Sequence, residues 1–593
     1  MKKKHVILSI ILILVAIILY YPVSSYTKTL KLYYKFHSSI SFDKDSIFKE
    51  DVCLQSYIPT VFNDTTRLFY LCKIWGFLKY HYENTDGYVP PIDSLLLYYI
   101  DKSTSDKLAF QSDICDLISK VQTTELTGKN PYPNINDYHL INNDWMNDII
   151  CLNSEISSKI KSIFDHRRGL KNHFIFNKSV VGNIRLMNEI AYNEKELPDK
   201  NIRLLGLFRF WNIINYFYVS KNLMDDNWDK ILYESIPLFI NAKTTRQYHL
   251  AIYWMISKLK DTHASYPHSI DPVITGGFRP NFRMLLIDSM FVIHKIRDSN
   301  RNDNKFQIGD ILLEIDGQDI YSLYDSLQQY TCGGNYWSNQ SFVCNAVLSR
   351  FDTISSVKLI RDNDTIEAVS KNYLAYDLFQ AQRKQERLEE DSVLYKWIND
   401  SIAYMDLTSA TEKNFKRNYD VVKSANVIIL DLRCYPDVDL ILPLTNTFVP
   451  PNSFFAYSTY PDTRFPGMVR FLKSSSNKIG SKNYYKGEII VLVDEWTQSY
   501  SEYITMALQR NARTVTIGRY SSGADGNYSL FNFPGNVKTI FTGIGIYYPD
   551  FTPTQRRGVK IDYIVEPNIE DIKNKRDAVY EKAIDIAKQK ITK

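Results

Sequence analysis

The 593-residue sequence lacks the features that mark several large classes of protein. It has only seven cysteines, Cys53, Cys72, Cys115, Cys151, Cys332, Cys344 and Cys434, and no two form a Cys-x-x-Cys pair. Zinc ribbons and dithiol redox centres are thereby excluded. An odd count at this density argues against a disulfide framework, although it leaves room for one bridge. No His-Glu-x-x-His or other metal-ligand spacing occurs among the ten scattered histidines, which disfavours a metalloenzyme. Neither sign of charge dominates. The 71 Lys and Arg stand against 66 Asp and Glu, and a net of +5 over this length is no footprint for nucleic acid. With 45% apolar and 23% charged residues, neither global disorder nor a collagen-like repeat fits. Aromatic side chains are abundant, at 14% with 43 Tyr and 31 Phe, and can fill large cores. At ~100–200 residues per domain, the length implies about three to five domains.

One long apolar run is present, at the amino terminus. Lys2-Lys3-Lys4-His5 precedes Val6 to Tyr21, which is apolar except for Ser9. Positive charge before such a run marks export, because it stays on the cytoplasmic side. The length favours a signal anchor in the inner membrane over a cleaved signal peptide, for which Val23-Ser24-Ser25 offers a small-residue cleavage site. Both readings place the remaining chain in the cell envelope or outside the cell. No cysteine follows directly, so a lipobox is absent.

Two segments repeat. Arg67-Leu68 followed by Trp75, and Arg203-Leu204 followed by Trp211, share an offset of 136 residues, and each copy has apolar residues at helical spacing. A further helical pattern runs from Leu250 to Leu259. Residues 60–270 are therefore expected to be mainly helical, with a polar irregular insertion near 124–150 and with the aromatics packed in the core. From 278 to 372 strand-like runs alternate with Gly and Asp turns, including a hairpin expected across Asn363-Asp364. The stretch Ile308-Gly-Asp-Ile-Leu-Leu-Glu-Ile-Asp-Gly-Gln-Asp-Ile320 resembles a PDZ domain, a module that binds chain ends by adding them to a sheet edge. Gly276-Gly277-Phe278 is the nearest candidate for the carboxylate-binding loop of such modules.

Residues 375–593 read as α/β. Val427 to Leu432 and Glu488 to Asp494 are apolar runs suited to buried strands, and Tyr500 to Arg510 has helical periodicity. That order places a site at a strand's carboxyl end. Ser499 stands there, where unpaired helix amides would stabilise an oxyanion. Ser499-Tyr-Ser-Glu502 is equally a capping box, a purely structural alternative. His263, in Asp261-Thr-His-Ala264, follows a helix closely and has helix termination as its ordinary role. Cys434 beside a strand reads as a core cysteine rather than a nucleophile.

The order of Asp261-Thr-His-Ala264, a PDZ-like module, Leu430-Asp-Leu-Arg433, Thr497-Gln-Ser-Tyr-Ser-Glu502 and Gly523-Ala-Asp-Gly526 resembles the tail-specific, or carboxyl-terminal processing, serine proteases, and their tricorn-like branch in particular. Gly545-Ile-Tyr-Tyr-Pro-Asp550 and Pro553-Thr-Gln-Arg556 look like membrane-associated or secreted members from Bacteroidetes. The resemblance implies a multidomain α/β protein. Its parts are a signal anchor or signal peptide (1–25), a linker (26–60), two helical copies (61–175 and 176–275, the second carrying the His motif), a PDZ-like module (278–372) and an α/β ClpP/crotonase-like protease core (375–593). It implies serine endopeptidase activity on protein or peptide substrates, with no cofactor and no metal. Ser499 is the implied nucleophile and His263 its base. No lysine lies between Arg510 and Gly526, so the Ser–Lys form of the family does not fit.

Two departures stand out. The family's glutamate falls at Gln555, three residues before Gly558-Val-Lys-Ile-Asp562. An amide can orient the imidazole but not stabilise its charge, which leaves Asp261 and Asp525 as alternative acids. The family's Pro-Gly-Gly is Pro436-Asp437-Val438 here, so the oxyanion donors would be the amides of Val438 and Tyr500. The rival reading is a protease-like scaffold that binds peptides or partner proteins without cleaving them.

Overall fold

The computed structural model describes residues 52–592 apart from 83–89, 103–105, 123–141, 149–150, 167–171, 178–181, 266–269, 302–304, 387–392 and 473–477. The expected signal segment and most of the linker and polar insertion lie outside the described residues. Among the described residues no helix is long and apolar enough to cross a membrane. All seven cysteines are free thiols.

The internal repeat is a repeat of contacts. Its copies open with the 18-residue helices α1 (Asp64–His81) and α3 (Lys200–Phe217), followed by α2 (Ile92–Asp101) and α4 (Trp228–Asn241). In both, the tryptophan N–H donates to the carbonyl that opens the next helix, Trp75 to Ile92 at 3.0 Å and Trp211 to Trp228 at 2.8 Å. In both, the arginine reaches the other end of that helix. Arg67 donates to the carbonyls of Tyr99 and Ile100, and Arg203 to those of Phe239 and Ile240. Helix ends leave carbonyls unsatisfied and partly negative, which a guanidinium fork answers.

The copies also exchange charges. Lys73 and Arg209 are equivalent under the 136-residue offset, and so are Asp93 and Asp229. Lys73 pairs with Asp229 at 2.5 Å and Arg209 with Asp93, so the cation of each copy holds the acid of the other. Helices α1 and α3 meet where Gly76 faces its own equivalent, Asn212. A Cβ on Gly76 would lie 1.9 Å from Asn212 Oδ1. Asn212 donates across this contact to the Cys72 carbonyl and along its own helix to that of Phe208, again an equivalent pair. Such reciprocity is that of a two-fold interface, here within one chain. Trp75, Trp211, Trp228 and Phe208 are fully buried, as core packing requires.

Helix α5 (Thr245–Ser257) leads into a β-rich module. Its strands are β1 (Phe278–Pro280), β2 (Phe282–Ile287), β3 (Met290–Ile296), β4 (Ile311–Ile315), β5 (Ile354–Arg361) and β6 (Asp364–Leu374), in the order β1-β6-β5-β4-β3-β2. The two end strands are separated in sequence by Asn281 alone, so the sheet must curl on itself. Helix α6 (Tyr336–Val347) covers β2, with Gln340 Nε2 donating to the Leu286 carbonyl at 2.8 Å. Two details differ from expectation. The β5–β6 turn is Asp362-Asn363, both at positive φ, with Arg361 paired to Asp364. Asp and Asn tolerate that conformation, which leaves Asp364 free to begin the strand. Gly276 is no carboxylate loop. Its amide bonds the Pro272 carbonyl, and at φ 90 it abuts the Arg350 backbone, where a Cβ would lie 2.0 Å away.

The core sheet contains β7 (Tyr395–Asn399), β8 (Ile402–Asp406), β9 (Val427–Asp431), β10 (Glu488–Val493), β11 (Thr514–Gly518) and, after a hairpin of β12 (Tyr528–Phe533) and β13 (Val537–Thr542), β14 (Tyr563–Ile564). Its order is β7-β8-β9-β10-β11-β14, parallel from β8 onward. The strands are apolar on both faces because both are covered. Ile428, Leu430, Ile489 and Val491 pack against crossover-helix residues such as Phe415, Phe448 and Met506, the last on α7 (Tyr500–Leu508). Val427, Ile429, Ile490 and Leu492 pack against Val579, Ala583 and Ile586 of α8 (Ala578–Ile591). The β12–β13 hairpin leaves this sheet and enters the helical core. Phe531 and Phe533 stand 5.1 and 4.9 Å from the Phe210 ring on α3, and Tyr248 on α5 donates to the Pro534 carbonyl.

The α1–α3 crossing yields a test. Gly76→Ala is expected to destabilise the protein by about 1–3 kcal/mol, seen as a lower thermal midpoint. Adding Asn212→Gly should recover part of the loss, because the clash is with that side chain.

Candidate active site

Strand β10 ends at Val493, and residues 494–498 turn the chain into α7. Two hydroxyls pin the turn to the end of β9. Thr497 Oγ1 and Ser501 Oγ donate to the Leu432 carbonyl at 2.8 and 3.0 Å. Between them, half-buried Ser499 holds φ 54 and ψ −112, a conformation that a residue with a Cβ adopts at a cost of about 1–3 kcal/mol. Its amide donates to Glu502 Oε2 at 3.1 Å and its carbonyl accepts from Tyr503 at 3.0 Å.

The capping-box reading of Glu502 is therefore right but incomplete. The same buried carboxyl accepts from Ser521 Oγ at 2.6 Å and from the amides of Gly523 and Ala524 at 2.8 and 3.0 Å. Burial pushes its pKa up to about 7, against these four hydrogen bonds, which favour the charged form. Gly523, at φ 66, sits against the Arg556 backbone, where a side chain would clash. One carboxyl thus fastens the Ser499 backbone to the 521–524 loop.

His263 lies on a short 3-10 turn, Thr262–Ser265, after α5. It is buried, and its Nδ1 lies 2.9 Å from Thr542 Oγ1, at the end of β13. Thr542 is gripped by Asp261: its hydroxyl lies 2.8 Å from Asp261 Oδ1 and its amide donates to Oδ2 at 2.6 Å. The His263 amide donates to Asp261 Oδ1 at 3.1 Å. A hydroxyl has one hydrogen to give. Thr542 gives it to the carboxylate and so accepts from His263, which places the imidazole proton on Nδ1 and leaves Nε2 as an acceptor. Burial lowers the His263 pKa below its usual 6.5, partly offset by the Asp261 charge.

Gln555 lies in this cluster, but not against the imidazole as its place in the sequence implies. Its Nε2 donates to Asp261 Oδ1 at 3.2 Å and approaches Tyr218 Oη at 3.5 Å. Asp261 in turn bonds the Thr542 hydroxyl that faces the imidazole. Asp525, the other candidate acid, accepts from the Gly526 amide and among the described residues has no hydrogen bond to His263, and burial beside Glu502 pushes its pKa up.

Ser499 and His263 flank the same loop. Thr262 Oγ1 donates to the Ser522 carbonyl and accepts from the Gly334 amide, both at 2.8 Å, while Glu502 holds Ser521, Gly523 and Ala524 from the other side. Among the described residues no hydrogen bond joins Ser499 directly to His263.

The two candidate oxyanion donors are also tied together. The Tyr500 phenol donates to the Val438 carbonyl and accepts from the Ile441 amide at 3.3 Å. Among the described residues the amides of Val438 and Tyr500 bond no protein group. The absent glycines cost nothing here, because Asp437 sits at φ −62. Cys434 is buried against the Asp431 carbonyl with its thiol pKa pushed up, which makes it a poor nucleophile. Among the described residues no group of three or more His, Cys, Asp or Glu side chains is placed to hold a metal ion.

Residues 401–565, which carry Ser499 and both oxyanion candidates, match peptidase family S41. The matched segment resembles the tail-specific serine proteases over that stretch, and it supports a serine peptidase, a hydrolase that acts on peptide or protein substrates. Comparison with curated protein sequences finds no match. Among solved structures, an alanine mutant of CPAF aligns with a TM-score of 0.51 at 12% identity, covering 66% of this chain and 97% of that one. Mature CPAF complexed with lactacystin gives 0.49 at 12%, covering 66% and 98%. A putative peptidase from Parabacteroides merdae gives 0.36 at 14%, covering 66% and 97%. At such identity the likeness to the CPAF mutant is one of fold.

Replacing the shared carboxyl should disable the S41 site as a unit. Glu502→Ala strands three backbone amides and a hydroxyl in a buried site. It is expected to cost about 3 kcal/mol or more, read as a lower thermal midpoint, and to abolish fluorophosphonate labelling of Ser499 in protein that is still folded by circular dichroism.

Proposed function

We propose that this chain is an exported, membrane-anchored serine endopeptidase working by Ser–His acyl transfer. Ser499 Oγ attacks the peptide carbonyl while His263 Nε2 takes its proton. The imidazolium then protonates the leaving amine, and water, deprotonated by the same nitrogen, hydrolyses the acyl-enzyme. The amides of Val438 and Tyr500 bind the oxyanion, and no cofactor takes part. The observation that carries this reading is the fixed imidazole: with Nδ1–H committed to Thr542, Nε2 is the atom left to accept a proton. The absent Ser499–His263 hydrogen bond forms when substrate draws the two sides of the 521–524 loop together, as catalytic hydrogen bonds commonly tighten in the bound state. The curled sheet of residues 278–374 is read as a PDZ-like module that presents substrate, and the parallel sheet as a ClpP/crotonase-like core. Anchoring rests on the apolar segment that follows Lys2-Lys3-Lys4.

The test is fluorophosphonate labelling of the full chain, with the adduct located by peptide mass. Labelling at Ser499 that disappears in both Ser499→Ala and His263→Ala is expected. No labelling of folded wild-type protein would overturn the reading. The pH dependence follows from burial of His263. Only the neutral imidazole is a base, and burial keeps it neutral to lower pH. The labelling rate should therefore be flat through neutrality, with an acid limb below pH 6.5, the ordinary histidine value. A limb above that value would contradict the buried base.

A further inference from the structure

Beside the proposed base, the structure puts an aspartate and a threonine where the family resemblance led us to expect one glutamate. We propose that Asp261, acting through the Thr542 hydroxyl, is the acid that orients His263, and that Gln555 positions Asp261 rather than the imidazole. This rests on the Ser499–His263 reading and deepens it.

Three observations converge. Four donors meet on Asp261: the His263 amide at 3.1 Å, the Thr542 amide at 2.6 Å, the Thr542 hydroxyl at 2.8 Å and Gln555 Nε2 at 3.2 Å. Three of these donors share Oδ1 and the Thr542 amide takes Oδ2, so both oxygens of the carboxylate are held. Next, Thr542 is bound by the same carboxylate through both its amide and its hydroxyl, which locks the rotamer that faces His263 Nδ1 at 2.9 Å. Finally, all four residues are buried, Asp261 and Thr542 completely. In such a setting the pair of hydrogen bonds carries the carboxylate's influence to the ring without contact. When Nε2 takes a proton, the positive imidazolium donates more strongly through Nδ1, and the hydroxyl dipole, already aligned by Asp261, meets it. No proton leaves Thr542 or Asp261.

This arrangement accounts for the amide at 555. A glutamate there would set a second carboxyl within about 3 Å of Asp261, and two buried carboxyls so close cannot both be ionised. It would take up a proton and act as a donor, which the glutamine already is. Gln555 is thus the complement of Asp261 rather than a lost acid.

The experiment measures fluorophosphonate labelling rates of the full chain across pH. The groups around His263 are Asp261 on its own turn and Tyr528 on β12, whose ring lies 6.2 Å away. Behind Asp261 stand Tyr218, and around it Arg556 and Cys332. Thr542→Val keeps shape and removes the hydroxyl. It is expected to slow labelling by about a hundredfold and to move the acid limb to lower pH, because the imidazolium loses its acceptor. Thr542→Ser should restore both rate and limb, which a purely packing role would not require. Gln555→Glu should slow labelling at neutral pH, because two buried carboxyls that close must share a proton and Asp261 loses part of its charge. Wild-type rate and limb in Thr542→Val, or a Gln555→Glu variant as fast as the wild type or faster, would overturn the relay, and the glutamate arm decides the matter if the valine variant fails to fold. Absence of labelling in the wild type strikes the Ser–His reading instead, so the two failures are distinguishable.

Discussion

A single buried carboxyl carries the catalytic end of this molecule. Glu502, itself fully buried, receives the Ser499 amide, one hydroxyl and two amides of the 521–524 loop. The unusual backbone at Ser499 is affordable because that carboxyl holds it from below while Thr497 and Ser501 hold the flanks. Remove the carboxyl and only those flanking hydroxyls still oppose relaxation to an ordinary helix start. The loop then passes the constraint on, since Ser522 anchors Thr262, the neighbour of His263.

A second theme is reciprocity. The helical repeat uses several contacts twice, and its Lys73–Asp229 and Arg209–Asp93 ion pairs cross from one copy to the other. Buried pairs are weak contributors to net stability but severe penalties when mispaired. Crossed pairs therefore specify the docking of the two copies more than they strengthen it. The hairpin of β12 and β13 then uses that assembled core as its floor.

Much of this was legible from residues alone, for identifiable reasons. Ser499 and Glu502 are three apart, so strand, turn and helix cap show in one short stretch. The Trp75 and Trp211 pair revealed the repeat because both lie at the same place in long helices. His263 became interesting only through motif order. Thr542 was invisible, since a threonine ending an apolar strand has no signature, and its partner Asp261 is 281 residues away. Gln555 was found by position yet matched to the wrong neighbour, because spacing along the chain says nothing about what stands beside a side chain. The crossed ion pairs of the repeat were equally hidden, since equivalence within the copies does not reveal exchange between them. The β5–β6 turn slipped by one residue because Asp and Asn are interchangeable at positive φ.

The hairpin's location has a consequence for the life of the chain. Phe531 and Phe533 sit among helices formed by residues synthesised some 300 positions earlier, and the same hairpin carries the hydroxyl that faces His263. Until the helical core has closed around those rings, Thr542 is not placed to fix the imidazole proton. On the proposed mechanism, the reactivity of Ser499 therefore waits for that hairpin to dock, and a partly folded chain is chemically harmless to itself and its neighbours.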